Sequence, residues 1–205
     1  MPDARATSTR RPAGEIRDAI VDATIRIIGR DGVTGVTHRA IADEAGVSLS
    51  STTYHFASKD EIVGAALERV AELEIASAAA DAERFAARED VDDPRTFAAL
   101  LLGWLEPQLG GDRELIARAG YHLQLEAAHR PELRAIHRDW SARVLEVAEA
   151  VLRLAGSGDP PRDAQILVTT IDGLRLEQLT DPRPGFRAEA LPLLERLARV
   201  LTAQA

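Results

Sequence analysis

The chain has 205 residues, 45% of them apolar and 4% aromatic, enough to bury a substantial core in one large or two small domains. It has no cysteine, which excludes disulfides, a thiolate nucleophile and thiolate metal sites. Its net charge of −8 would repel nucleic acid if it were spread evenly.

The charge is not spread evenly. Residues 1–60 hold eight basic and eight acidic side chains, and the whole acidic excess lies in residues 61–205. Lys59 is the only lysine. No stretch approaches the roughly 18 apolar residues of a membrane span, and the N-terminus lacks the apolar run of a secretory signal. A cytoplasmic location and no membrane partner are therefore expected.

Residues 1–13 are polar, carry Arg5, Arg10 and Arg11 and show no apolar period. They read as a disordered arm, either solvated or reaching a DNA minor groove. Ile16, Ala19, Ile20, Ala23 and Ile27 then recur with helical spacing, which predicts a helix over 15–31 ended by Asp31-Gly32. Its stripe is expected to pack on Ile41 and Phe56.

Residues 37–59 carry the sharpest signal. Thr37 can cap a short helix with Ala40, Ile41 and Ala45 inward, and Gly46 can take the positive φ of a tight turn. Ser48 can cap a second helix, Leu49 to Phe56, crowded with Ser50, Ser51, Thr52, Thr53 and Tyr54. These are mediocre helix formers but good partners for phosphates and base edges. Helix, glycine turn and polar helix make a helix-turn-helix, whose second helix enters the DNA major groove. Ser58-Lys59-Asp60-Glu61 is a capping box opening the next helix, with Lys59 beside its N-terminus.

Val36-Thr37, Ile41-Ala42, Ala45-Gly46-Val47-Ser48, Tyr54-His55-Phe56 and Ser58-Lys59-Asp60-Glu61-Ile62 together resemble the DNA-binding domain of the tetracycline-repressor (TetR) family. By position, the resemblance implies that Thr37, His38, Arg39, Ser48, Leu49, Ser50, Ser51, Thr53, Tyr54, His55 and Lys59 face DNA. One departure is Thr52-Thr53, where the family usually has a Leu-Tyr pair whose Tyr touches the DNA backbone. Tyr54, one place on, is expected to take over part of that role.

The rest of the chain also reads as helical. A long pattern from Ser58 to about Arg88 starts in the head and extends past it. Asp93-Pro94 opens an apolar helix to Leu109, broken by Gly110-Gly111. Asp112 is expected to cap the next helix, to His129, followed by helices from Pro131 to Leu154, over 162–180 and over about 188–203. No stretch alternates with period two. The expected fold is all-α with about nine helices: an arm (1–13), a three-helix reading head (14–60) and a larger ligand-binding and dimerisation domain (61–205).

In the TetR family, the middle helices hold a small-molecule effector. The resemblance points to Phe97, Leu101, Trp104, Tyr121, His122, Leu125, Asp172, Arg175 and Gln178, against the alternative that the aromatic ones are simply core. If Asp172 and Arg175, one turn apart, pair with each other, an uncharged ligand is favoured. The apolar faces of the last two helices are expected to form a homodimer interface including Leu174, Leu194, Leu197 and Leu201. His122, Glu126 and His129 share a helix face, but a metal site is not expected, nor any cofactor. No phosphate loop, nucleophile elbow or paired catalytic base is present, so an enzyme is not expected. The reading is a repressor that binds a palindromic operator in double-stranded DNA and is released by a small-molecule effector. An architectural DNA binder without a ligand is the alternative.

Overall fold

The computed structural model describes residues 12–202, so all but the end of the expected arm lies outside the described residues. Among the described residues there are nine α-helices, two short 3-10 turns and no strand. The helices are α1 (Ala13–Asp31), α2 (His38–Ala45), α3 (Leu49–His55), α4 (Lys59–Ala86) and α5 (Pro94–Leu105), then α6 (Gly111–His129), α7 (Pro131–Leu154), α8 (Pro160–Thr180) and α9 (Phe186–Leu201).

The head's boundaries are set by hydroxyl caps. Thr37 accepts from the Ala40 amide at 3.1 Å, Ser48 from Ser51 at 3.1 Å and Ser58 from Glu61 at 3.2 Å. Each satisfies an amide that has no partner inside its helix. Glu61 reaches back to the amide of Ala57, not Ser58, and closes the box one residue early. Gly46 ends α2 in the left-handed conformation, φ 63°. Several helix ends move by one or two residues from the sequence reading, and two differ for a physical reason. The α5 helix stops at Leu105 and tightens into a 3-10 turn over Glu106–Leu109, because Pro107 has no amide to continue the α ladder. Helix α6 begins at Gly111 without a side-chain cap, and Asp112 sits in its first turn, where a carboxylate favours the helix dipole.

Two hydrophobic cores organise the molecule. The first joins Ile20, Ile27 and Ile28 of α1 to Ile41, Phe56, Ile62 and Leu67, and continues into Leu123 of α6 and Leu133 and Trp140 of α7. Packing therefore does not stop at residue 60: α6 and the first half of α7 buttress the head. The second core gathers Phe85, Phe97, Leu102, Leu105, Leu152, Ile171, Leu194 and Leu201 from α4, α5, α7, α8 and α9. Helix α4 begins in the first core and ends in the second. Helices α1 and α6 approach so closely that a Cβ built on Gly29 would lie 2.3 Å from the Leu115 carbonyl oxygen. Only glycine permits that contact.

Candidate DNA-reading head and interhelical cavity

Helices α2 and α3 are tied to each other and to α1 by side-chain bonds. Arg26 and Arg30 of α1 hold Glu44 of α2, at 2.8 and 3.3 Å. The Arg26 bond, with help from Arg30, keeps the Glu44 carboxyl below its usual range despite partial burial. Between α2 and α3, fully buried Thr52 donates to the Leu49 carbonyl at 2.8 Å and lies 3.1 Å from His38 Nδ1. This explains half of the Thr52-Thr53 departure: Thr52 is an interior residue, and its hydroxyl is satisfied by its own helix and by His38. Thr53 points outward and bonds the Ser50 carbonyl at 3.2 Å. Tyr54, 83% exposed, projects beyond both.

The side chains for which DNA contact was expected surround this pair. Thr37, Arg39, Ser48, Leu49, Ser50, Thr53 and Tyr54 are exposed, and His38, Ser51, His55 and Lys59 are half-buried. At the start of α3, Ser48 Oγ lies 2.9 Å from Ser50 Oγ and 2.7 Å from Ser51 Oγ, a knot of hydroxyls at a helix N-terminus. Such an end suits a phosphate. Arg39 has no carboxylate within ion-pairing distance among the described residues, which leaves its guanidinium available for a base or phosphate.

The second constellation is a cavity of about 390 Å³ between α4, α5, α7 and α8. Its walls are largely apolar, with Phe85, Leu101, Val144, Leu145, Val151 and Ile171, and both tryptophans, Trp104 and Trp140, contribute. Buried Arg175, 3% exposed, stands at its polar end. Its Nε donates to Tyr121 Oη at 2.9 Å, and its Nη1 donates to Glu74 at 3.0 Å and to Gln108 at 2.7 Å. Its Nη2 donates to Asp172 at 2.9 Å. The Tyr121 hydroxyl in turn donates to the Asp172 backbone carbonyl at 3.1 Å. One guanidinium thus ties α8 to α4, α6 and the 3-10 turn. Burial pushes the carboxyls of Glu74 and Asp172 above their usual range, with Arg175 opposing it in both.

The family model for bacterial regulatory proteins of the tetR family matches residues 20–66, and the model for the tetracyclin repressor-like C-terminal domain matches residues 92–200. The chain belongs to the TetR family. Among similar proteins is the nicotine-responsive transcriptional repressor HdnoR of Paenarthrobacter nicotinovorans, 28% identical over 81% of this chain and 84% of that protein. The multidrug binding protein EbrR complexed with ethidium is 35% identical, covers 89% of this chain and 98% of its own, and superposes with a TM-score of 0.63. A family member from Streptomyces coelicolor A3 is 36% identical over 89% of this chain and 98% of its own, with a TM-score of 0.66. The chain is accordingly an all-α DNA-binding transcriptional regulator and not an enzyme. No helix among the described residues is long and apolar enough to cross a membrane.

The structure sorts the nine ligand candidates. Leu101, Trp104, Asp172 and Arg175 line the cavity. Tyr121 stands behind Arg175, positioning it. Phe97 is fully buried in the second core, edge-on to Phe85. His122 lies against Gly32 at the end of α1, and Leu125 is 68% exposed. Gln178 bonds the backbone of Arg183 in the loop before α9. Helical spacing alone could not decide which side of α6 faces inward. Sequence reasoning missed Glu74, Trp140 and His137. Glu74 was hidden among many acids, although its place on the apolar side of α4, between Ala71 and Ala78, was a signal.

Among the dimer candidates, Leu194 and Leu201 are spent within the second core, while Leu174 and Leu197 lie half-buried at its edge. Glu126 of the His122–Glu126–His129 face bonds Arg130 at 2.9 Å, and the described residues contain no metal-binding group of three or more side chains.

Proposed function

We propose that this regulator is a repressor that binds a palindromic operator as a homodimer and releases it when a small organic molecule fills the cavity between α4, α5, α7 and α8. The observation that carries this reading is continuity. Helix α4 runs unbroken from Lys59, beside the DNA-reading residues, to Glu74, Asp81 and Phe85 in the cavity wall. Helix α6 links Arg175, through Tyr121, to the close contact with α1. A ligand that prefers one arrangement of these helices changes the spacing and tilt of the heads, and lowers DNA affinity by its differential affinity for the two states.

The volume suits a small organic ligand. HdnoR is named as nicotine-responsive and EbrR as multidrug binding, which supports the same use of this cavity here. For dimerisation, Ile166 and Leu176 of α8 and Leu193 and Val200 of α9 are exposed, each between 43% and 67%. Gly173 has open space beside it, which permits close helix approach. An apolar face of this kind favours a second copy, and two heads on a palindrome add their binding energies. Arg39 is assigned to reading a base, and Ser48, Ser50, Thr53, Tyr54 and Lys59 to phosphates.

Selecting bound sequences from random DNA tests the reading. The expected result is a two-fold symmetric site, released by at least one member of a chemically varied ligand panel. An asymmetric consensus would contradict the dimer, and a complex that no ligand class dissociates would contradict the effector.

A further inference from the structure

Thr52 spends its one hydroxyl proton inside its own helix. Its Oγ1 lies 2.8 Å from the Leu49 carbonyl oxygen. Two oxygens so close repel each other unless a proton lies between them, and a carbonyl has none to give, so Thr52 is the donor. The same Oγ1 lies 3.1 Å from His38 Nδ1. With its proton committed, the hydroxyl can only accept there, and Nδ1 must carry the hydrogen. A neutral imidazole protonated on Nδ1 has a bare lone pair on Nε2. A residue of α3 thus sets the tautomer of a residue of α2.

Thr52 is fully buried, whereas His38 is half-buried. The bond between them lays the imidazole against the middle of α3, the helix expected in the major groove. His38 Nε2, on the far side of the ring from Thr52, has no partner among the described residues and is not sealed from solvent. Thr37 and Arg39, its neighbours in the chain, are exposed. DNA offers few groups to a lone acceptor. Phosphate and sugar oxygens are themselves acceptors, and so are the major-groove edges of guanine and thymine. Only the adenine N6 and cytosine N4 amines donate there. Leucine, which the family usually has at the place of Thr52, could not hold the imidazole in this way, so the arrangement goes with this chain's own departure.

We infer that His38 is a specificity-determining residue whose Nε2 accepts a hydrogen bond from the exocyclic amine of an adenine or a cytosine in the operator, and that Thr52 is the positioning residue that fixes its tautomer and ring. This rests on the DNA-reading role proposed above for the head and adds the chemistry of one base contact. Adjacent residues then read opposite polarities: Arg39 donates to a guanine edge, and His38 accepts from an amine.

Two measurements test it. In long-range proton–nitrogen correlation spectra of the intact protein at about pH 8, where an ordinary imidazole is neutral, the His38 ring is expected to carry its proton on Nδ1. A proton on Nε2 would overturn the inference. The second measurement uses the operator selected from random DNA. Its adenines and cytosines are replaced one at a time, in both half-sites together, by purine and by 2-pyrimidinone, which lack the amine. At one position the replacement is expected to weaken binding by the unaltered chain by about tenfold, and by His38→Ala by less than about twofold. Whether that position holds adenine or cytosine names the base. Thr52→Val, similar in shape but without the hydroxyl, is expected to lose the sensitivity at that position alone, and Thr52→Ser to keep it. A folded Thr52→Val variant that retains the sensitivity, or that weakens every position alike, would remove Thr52 as the positioning residue. If no replacement separates the unaltered chain from His38→Ala, the base contact falls, while the head remains a DNA reader through its other residues. If selection yields no operator at all, the DNA-reading role falls with it.

Discussion

Replacing Arg175 by methionine removes four donated hydrogen bonds and one buried charge while keeping an unbranched apolar stem of similar reach. The partners do not suffer equally. The Asp172 side chain is 42% exposed and can turn to water, so its loss is small. The Glu74 carboxyl, 14% exposed, loses its counter-charge. Breaking such a pair from one side costs about 3–5 kcal/mol, and the retained stem places the expectation near the lower figure, about 3 kcal/mol at pH 8. The loss depends on pH in a definite direction. Burial holds the Glu74 carboxyl above its ordinary 4.5 and Arg175 pulls it down, so removing Arg175 raises it further. A group whose folded-state pKa is raised stabilises the fold fully below the unfolded value and loses that contribution as pH rises through the folded value. The deficit of Arg175→Met is therefore smaller at pH 5.5 than at pH 8. Adding Glu74→Gln to Arg175→Met recovers more than half of it at pH 8. Urea unfolding followed by circular dichroism measures this, at one fixed protein concentration because subunit association contributes to stability. A loss under about 1 kcal/mol, or one equal at both pH values, would refute the assignment of Glu74 as the stranded charge.

Three further outcomes are expected. Arg39→Ala lowers operator affinity by about 1–3 kcal/mol and relaxes preference at one base pair, whereas Lys59→Ala weakens all sequences alike and reduces the salt slope by about one; equal losses on operator and random DNA for Arg39→Ala would remove it as a base reader. Leu193→Glu separates the dimer and leaves a folded protomer by sedimentation, whereas Leu194→Ala, in the protomer core, costs about 2–5 kcal/mol of stability; a Leu193→Glu dimer would displace the interface from this face. Gly29→Ala sets a Cβ against the Leu115 backbone, which no rotamer can relieve, and the overpacking of about 1–3 kcal/mol exceeds the gain in helix propensity of about 1 kcal/mol. A thermal midpoint at or above that of the unaltered chain would show that α1 and α6 separate freely.

The head was legible because its information is local. Thr37, Gly46, Ser48 and Ser58 each act within four residues of themselves, so their positions dictate the helix ends without knowledge of the fold. The helical nature of the remainder was also written in short-range period and punctuation. The cavity was not, because it depends on which sides of α4, α6, α7 and α8 meet. Arg175 contacts Glu74 across 101 positions and Tyr121 across 54, and no spacing rule connects them. Leu125 and His122 lie on sides of α6 that do not line the cavity for that reason. Leu194 and Leu193 differ by one residue and 100° of helix, which separates a core side chain from an exposed one. Thr52 reads as a donor for DNA and is buried, since a hydroxyl can satisfy itself on its own helix.

The claim that a molecule in the cavity controls the DNA-reading head is tested most directly by fluorescence anisotropy of the selected operator. The ligand is whichever probe binds tightest in a panel of cationic, neutral and anionic aromatics. Ala148→Phe, which adds a ring to the cavity wall, is compared with the unaltered chain. Both proteins are expected to bind the operator equally well without ligand. Only the unaltered chain is then expected to release it, at ligand concentrations that track the binding constant. A ligand-saturated protein that holds its operator with unchanged affinity would contradict the account.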